Sequence, residues 1–165
     1  MIVIADATPL HYLVLLNHVD ILRELYRHVI IPEAVFRELQ VDRTPPTVKQ
    51  WIGSRPLWLE VRQAFVPQDL TLTELDTGER EAIALAESLR ADAVILDDKA
   101  ARREAQRRNL RVIGTLRVLD DAALAGLVDL PEALKRLRAA GFYLDAALVQ
   151  FLLDRHSQRI SGKAG

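Results

Sequence analysis

Short apolar runs alternate along this chain with longer segments whose apolar positions recur at helical spacing. Residues 2–5 are apolar and β-branched, stop at Asp6 and are followed by Thr8-Pro9, the pattern of a buried strand entering a helix. Between residues 10 and 26, Leu13, Leu16, Val19, Leu22 and Leu25 recur every three positions, which predicts helix, with Asp20 starting a second one. Residues 29–31 read as another strand. Pro32 then suits the first position of a helix, Glu33 its positive end, and Val35 and Leu39 its apolar stripe, with Glu38 beside that stripe near the helix's C-terminal end. Residues 42–55, with Pro45, Pro46 and Gly53, are the loosest stretch, predicted to be mobile or partner-facing with one short helix at 48–52. A strand at 57–61 and a loop at 68–77 precede the helical run GEREAIALAESLR at 78–90. Residues 93–96 form the next strand, ending in Asp97-Asp98, followed by a charged helix at 99–109, a strand at 112–113 and a Gly114-Thr115 turn. Residues 116–155 are predicted helical, punctuated by Pro131 and Gly141, and 156–165 a polar, flexible tail.

Strands that alternate with helices pair in parallel through right-handed crossovers. The predicted fold is therefore α/β, a three-layer α/β/α sandwich around a central, mostly parallel sheet, with its site beyond the carboxyl ends of the strands. At 165 residues there is room for one domain, placed at 1–155.

Composition narrows the chemistry. The 22 basic and 23 acidic residues leave a net charge of −1, so any contact with nucleic acid must be local. Without cysteine there is no disulfide framework, thiolate zinc site, iron–sulfur cluster or cysteine nucleophile. No run approaches the roughly 20 apolar residues of a membrane span, and Asp6 interrupts the N-terminal run too early for a signal-peptide core, so a cytoplasmic protein without membrane association is expected.

Carboxylate chemistry remains. Two strands end in aspartate, and as parallel neighbours they bring Asp6 and Asp97 or Asp98 to one edge of the sheet. Glu38 and Glu79 can add further oxygens, which makes a site for a hard cation such as magnesium. Taken singly each acid has an ordinary use: Asp6, Asp97 or Asp98 as a helix cap, Glu38 as a solvated helix residue, Glu79 at the positive end of its helix. Their order on two strand ends and two helices is what points to a metal able to activate water and neutralise a phosphodiester. Glu81, two residues along the helix, points away from Glu79.

The segments IVIADATPLHYL, VIIPEAVFREL, TGEREAIALAESLRADAVILDDKAARREA and LRVIGTL together resemble the PIN superfamily, especially its VapC-like branch, over residues 1–130. The resemblance implies a metal-dependent endoribonuclease using Mg2+ or Mn2+, often the toxin of a toxin–antitoxin pair. It assigns the acids as Asp6, Glu38, Glu79 and Asp97, with Thr8 as the supporting hydroxyl, and leaves Asp97 and Asp98 open as the direct ligand. Glu79 stands where the branch usually has Asp, and LDD replaces the strand-end pattern of Thr, any residue, Asp.

Lys99, Arg102 and Arg103, just beyond the acidic pair, are candidate RNA contacts, against an ordinary solvated helix paired to Glu104. The four histidines have no metal-ligand spacing, and there is no phosphate loop, dinucleotide fingerprint or nucleophile elbow. A haloacid-type phosphatase would need Asp where Thr8 stands. The resulting expectation is an RNA-cleaving toxin with a cognate antitoxin and a homodimeric state; the competing class is a PIN-like module that binds RNA or protein without cutting.

Overall fold

The computed structural model describes residues 1–164, with side chains through 162. Five strands, β1 (Val3–Ala5), β2 (Val29–Pro32), β3 (Leu59–Arg62), β4 (Ala93–Ile95) and β5 (Val112–Ile113), form one all-parallel sheet in the order β3-β2-β1-β4-β5. β1 to β4 are short and, β3 apart, buried throughout, which is why they read as continuous apolar runs rather than alternating ones. Helices lie on the sheet's faces in the three-layer α/β/α arrangement expected.

In chain order the helices are α1 (Ala7–Leu15), α2 (Ile21–Tyr26), α3 (Glu33–Glu38), α4 (Pro46–Gly53), α5 (Gln68–Thr71), α6 (Thr77–Ser88), α7 (Lys99–Arg107), α8 (Thr115–Leu124), α9 (Leu130–Ala139) and α10 (Ala146–Ala164). Two differences from the sequence reading have plain causes. Pro32 closes β2 and caps α3 instead of opening the helix, because its extended ψ of 160° still belongs to the strand. The segment expected as a loop at 68–77 contains α5, held by fully buried Leu70, which joins Ile83, Leu85 and Leu96 in the core.

The chain forms two compact units, Met1–Thr115 and Leu116–Gly165. In the first, α6 packs on β1, β2 and β4 as well as α3. Small residues let it lie close: Gly78, Ala82 and Ala86, four apart, are all buried. Burial of Ile83 and Leu85 contributes about 1.5–3 kcal/mol each. In the second unit, Gly141 ends α9 with φ +99°, the left-handed stop that glycine adopts at no steric cost. Arg155 and Arg159 of α10 both pair with Asp120, which is 2% exposed, so the helix continues through residues the sequence reading left to a polar tail; Gly165 lies outside the described residues. No helix among the described residues is long and apolar enough to cross a membrane.

Candidate active site

Strand order reverses direction around β1, whose neighbours are β2 and β4, and this is where a parallel sheet opens a crevice at its carboxyl end. Asp6 stands there. Its backbone N–H donates to Ile95 O at 3.1 Å, extending the β1–β4 pairing by one residue, and its side chain is buried at 4% exposure. The residue occupies the N-cap position of α1 yet makes no capping hydrogen bond. Pro9, three residues on, has no N–H to offer, so the ordinary explanation for this aspartate fails. Asp6 Oδ1 has no hydrogen-bond partner at all. Burial first, then the charges of Asp76, Glu79 and Glu38, push its carboxyl well above the usual range, only partly offset by the Ala7 N–H.

Glu38, the last residue of α3, is brought to Asp6 by the packing of α3 on α6. The contact is measured by Gly78: a Cβ there would lie 3.1 Å from Glu38 Oε2 and 3.4 Å from Asp6 Oδ1. Gly78 is required for the space between two carboxylates, not for its backbone angle. Alanine at this position should raise helix propensity by up to about 1 kcal/mol, leaving the fold intact, while displacing Glu38 and lowering activity about tenfold. Thermal unfolding and activity measurements on Gly78→Ala check the two halves; a variant as active as wild type would remove Gly78 from the site.

The start of α6 is fixed by a reciprocal cap. Asp76 Oδ1 accepts from Glu79 N at 2.8 Å, and Glu79 Oε2 accepts from Asp76 N at 3.0 Å. Asp76 thereby joins the acids, a residue the functional reading missed although Asp-Thr-Gly-Glu carries the capping signature. Burial, then Asp76, Asp98 and Glu38, raise Glu79 to about 7. Burial and Asp76 also raise Glu38, with Arg43 pulling it down. Glu81 is used elsewhere, accepting from Ala34 N at 3.2 Å.

Asp97 and Asp98 have different surroundings. Asp97 accepts from Thr115 N at 2.8 Å and from Thr115 Oγ1 at 2.6 Å, so both its oxygens are engaged. Burial raises its carboxyl, against Thr115 and Arg102, whose Nη1 donates to Leu96 O at 2.9 Å. Asp98 is exposed, caps α7 through Ala101 N at 2.9 Å and acts on Glu79. The charges of Glu38 and Asp76 bear on both Asp6 and Glu79, and that of Asp98 bears on Glu79.

A buried carboxylate oxygen with no donor, beside a second carboxylate across a glycine, fits a divalent cation. Among the described residues no three side chains already stand at ligand spacing, and Glu79 accepts from its own helix cap. Magnesium tolerates this, because it is held by one or two carboxylates and keeps several waters.

A family model described as a PIN domain matches residues 2–158. The chain belongs to the PIN-domain family. PIN domains are generally nucleases that use divalent metal ions. One solved structure similar to this PIN domain is a PilT N-terminus domain protein from the hyperthermophilic archaeon Sulfolobus solfataricus P2, 17% identical over 88% of this chain and 98% of that one, with a TM-score of 0.48. No curated protein matches.

Around the acids of this PIN domain, Thr8 is exposed at the first turn of α1, and Lys99 and Arg103 are exposed on α7. Arg102 instead packs toward the β4–β5 ends, 2.7 Å from where a Gly114 Cβ would be. Arg107 and Arg108 pair with Glu104, whose carboxyl the Arg107 hydrogen bonds pull down to about 2. The charged helix is therefore part ion-paired scaffold and part free cation. Arg43, exposed in the proline-rich segment after α3, lies in the field of Glu38; no sequence signal marked it.

Proposed function

We propose that this PIN domain is a metal-dependent endoribonuclease that cleaves RNA phosphodiester bonds. The reading rests above all on Asp6 Oδ1, buried, without a partner and surrounded by other acids at the switch point of the sheet. Leaving a buried carboxylate unpaired costs several kcal/mol, and a Mg2+ or Mn2+ ion is the partner this donor set suits. Asp6, Glu38 and Glu79 would hold it, with Asp97 or Asp98 as the fourth acid. When bound, the ion makes a water nucleophilic near neutral pH and neutralises charge on the phosphodiester.

The chain's own residues supply the rest. Asp6 is held rigid by burial, and Gly78 keeps Glu38 close to it. Burial and the neighbouring acids raise the Glu79 carboxyl, so a cation beside it would relieve the charge gathered there. Thr8 lines the approach, while Lys99 and Arg103 attract phosphates to an otherwise acidic edge. Asp97, both of whose oxygens accept from Thr115, ties the β4 end to that residue, while the charge of Asp98 acts on Glu79.

The two aspartates separate cleanly by substitution. Asp98→Asn keeps a good cap, so stability should change by less than about 0.5 kcal/mol while cleavage falls at least about tenfold. Asp97→Ala removes both hydrogen bonds from Thr115 and should cost about 1–3 kcal/mol of stability with a smaller effect on cleavage of the folded protein. Unfolding curves and cleavage rates of both variants decide it, and the reverse pattern would make Asp97 the ligand.

Within this reading the chain is a cytoplasmic toxin of a toxin–antitoxin pair, supported by the likeness of its motifs to the VapC-like branch, and residues 1–155 form one domain, supported by the unbroken family match. A homodimer is supported by the exposed Leu148, Phe151 and Ile160 of α10. The competing reading, a binding module without turnover, draws on Glu79, whose carboxylate is occupied by its helix cap. Incubating the purified protein with a mixed pool of single-stranded RNA in Mg2+, Mn2+ or EDTA tests both. Cleavage with metal and none in EDTA is the expected result; RNA binding without cleavage under any metal would establish the module.

A further inference from the structure

Beside the acids lies a groove of about 300 Å3, whose walls come from α1 and from the segment that follows α3. Thr8, His11, Tyr12, Glu38, Arg43 and Thr44 line it, so it shares Glu38 with the acidic cluster. The volume is at the lower end of small-molecule sites and the lining is mixed, with rings, hydroxyls and one cation. The His11 and Tyr12 rings meet edge to face with centroids 4.9 Å apart, presenting aromatic surface within the groove.

Electrostatics says what kind of ligand can lie here. A chain with net charge −1 and a cluster of acids repels a polyanion, so a phosphate near Glu38 needs a cation of its own. Arg43 is that cation on the α3 side, and its charge already lowers Glu38. Lys99 and Arg103 stand on α7, which follows β4, whereas α3 follows β2; the two basic elements come from opposite sides of β1 and Asp6. A strand crossing the acids is met by positive charge before and after them.

Resting on the ribonuclease reading, we propose that this groove binds one unpaired nucleotide of the RNA strand next to the cleaved bond, with Arg43 on its phosphate and the His11 and Tyr12 rings against its base. Guanidinium matches phosphate through paired N–H donors, and a base stacks on an aromatic face whatever its sequence. A base held in a duplex has no face to offer, so the site selects single-stranded RNA.

The test is binding of a short fluorescent single-stranded RNA of mixed sequence, followed by anisotropy in EDTA so that no cleavage intervenes, over a range of salt. Arg43→Ala, at an exposed position, should weaken binding about tenfold and lower the slope of log Kd against log salt by about 0.7, the signature of one lost phosphate contact on a single strand. Tyr12→Leu should weaken binding several-fold with the slope unchanged, and the duplex of the same sequence should bind less tightly than the single strand. Arg43→Lys should restore the slope. If wild type cuts RNA in Mg2+ or Mn2+ but Arg43→Ala binds with wild-type affinity and slope, the groove is not the subsite and the nuclease reading stands. If wild type neither binds nor cuts RNA, both fall. Should Tyr12→Leu unfold, Arg43→Ala with the duplex comparison still decides.

Discussion

Asp6→Asn should lower metal-dependent RNA cleavage by about a thousandfold while leaving the protein folded and, at neutral pH without metal, no less stable than wild type. The two halves of this result come from one cause. The Asp6 carboxyl is buried, lacks a partner on Oδ1 and is raised by burial and by Asp76, Glu79 and Glu38. As a structural group it is a liability, because its charge is desolvated and repelled. Asparagine has nearly the same shape, removes the charge and relieves that repulsion. As a ligand, however, it loses the anionic oxygen that a hard cation needs. An ordinary structural aspartate would behave in the opposite way, with stability lost and activity following it. Cleavage rates and thermal unfolding measured together distinguish the cases, and activity within tenfold of wild type would take Asp6 out of the site.

Stability should also fall as pH rises, and divalent cations should reverse the fall. Asp6, Glu38, Glu79 and Asp97 all have raised carboxyls, so the folded state binds protons that the unfolded state has released. Folding then takes up protons, and stability decreases with pH from the ordinary carboxylate value up to the raised one. Glu79 sets that window at 4.5 to about 7. After allowance for screening, Glu79 alone accounts for roughly 2 kcal/mol. Glu60 and Glu104 act in a separate window: their lowered carboxyls contribute stability that is lost only as pH drops below 4.5. A metal bound only by the folded, deprotonated site adds about 2.7 kcal/mol at a hundredfold excess over its Kd, and this should be evident near pH 8 and nearly absent near pH 5. Thermal unfolding across pH, with and without Mn2+, is the check. Equal stabilisation at both pH values would mean that the ion binds elsewhere.

Much of the scaffold could be read from residue pattern because the strands are buried. Parallel strands covered by helices show as unbroken apolar runs, and an aspartate at the end of such a run is conspicuous; Asp6 and the Asp97-Asp98 pair were legible for that reason. Glu38 and Glu79 were legible as helix positions aligned with them. Asp76 carried a usable signal, the Asp-x-x-Glu cap it forms with Glu79. The different surroundings of Asp97 and Asp98 were not legible, since they depend on Thr115 across the β5 end. Arg43 was hidden because a cation in a proline-rich loop matches no motif. α5 was missed because one buried leucine, Leu70, decides it.

Mn2+ titration followed by electron paramagnetic resonance, on wild type and Asp6→Asn near pH 8, reads the carboxylates directly and does not depend on choosing the right RNA. The account predicts loss of the free-ion signal on addition of wild type, competition by Mg2+, and affinity at least about tenfold weaker in Asp6→Asn. Equal binding by the two proteins, or none by wild type, would contradict it.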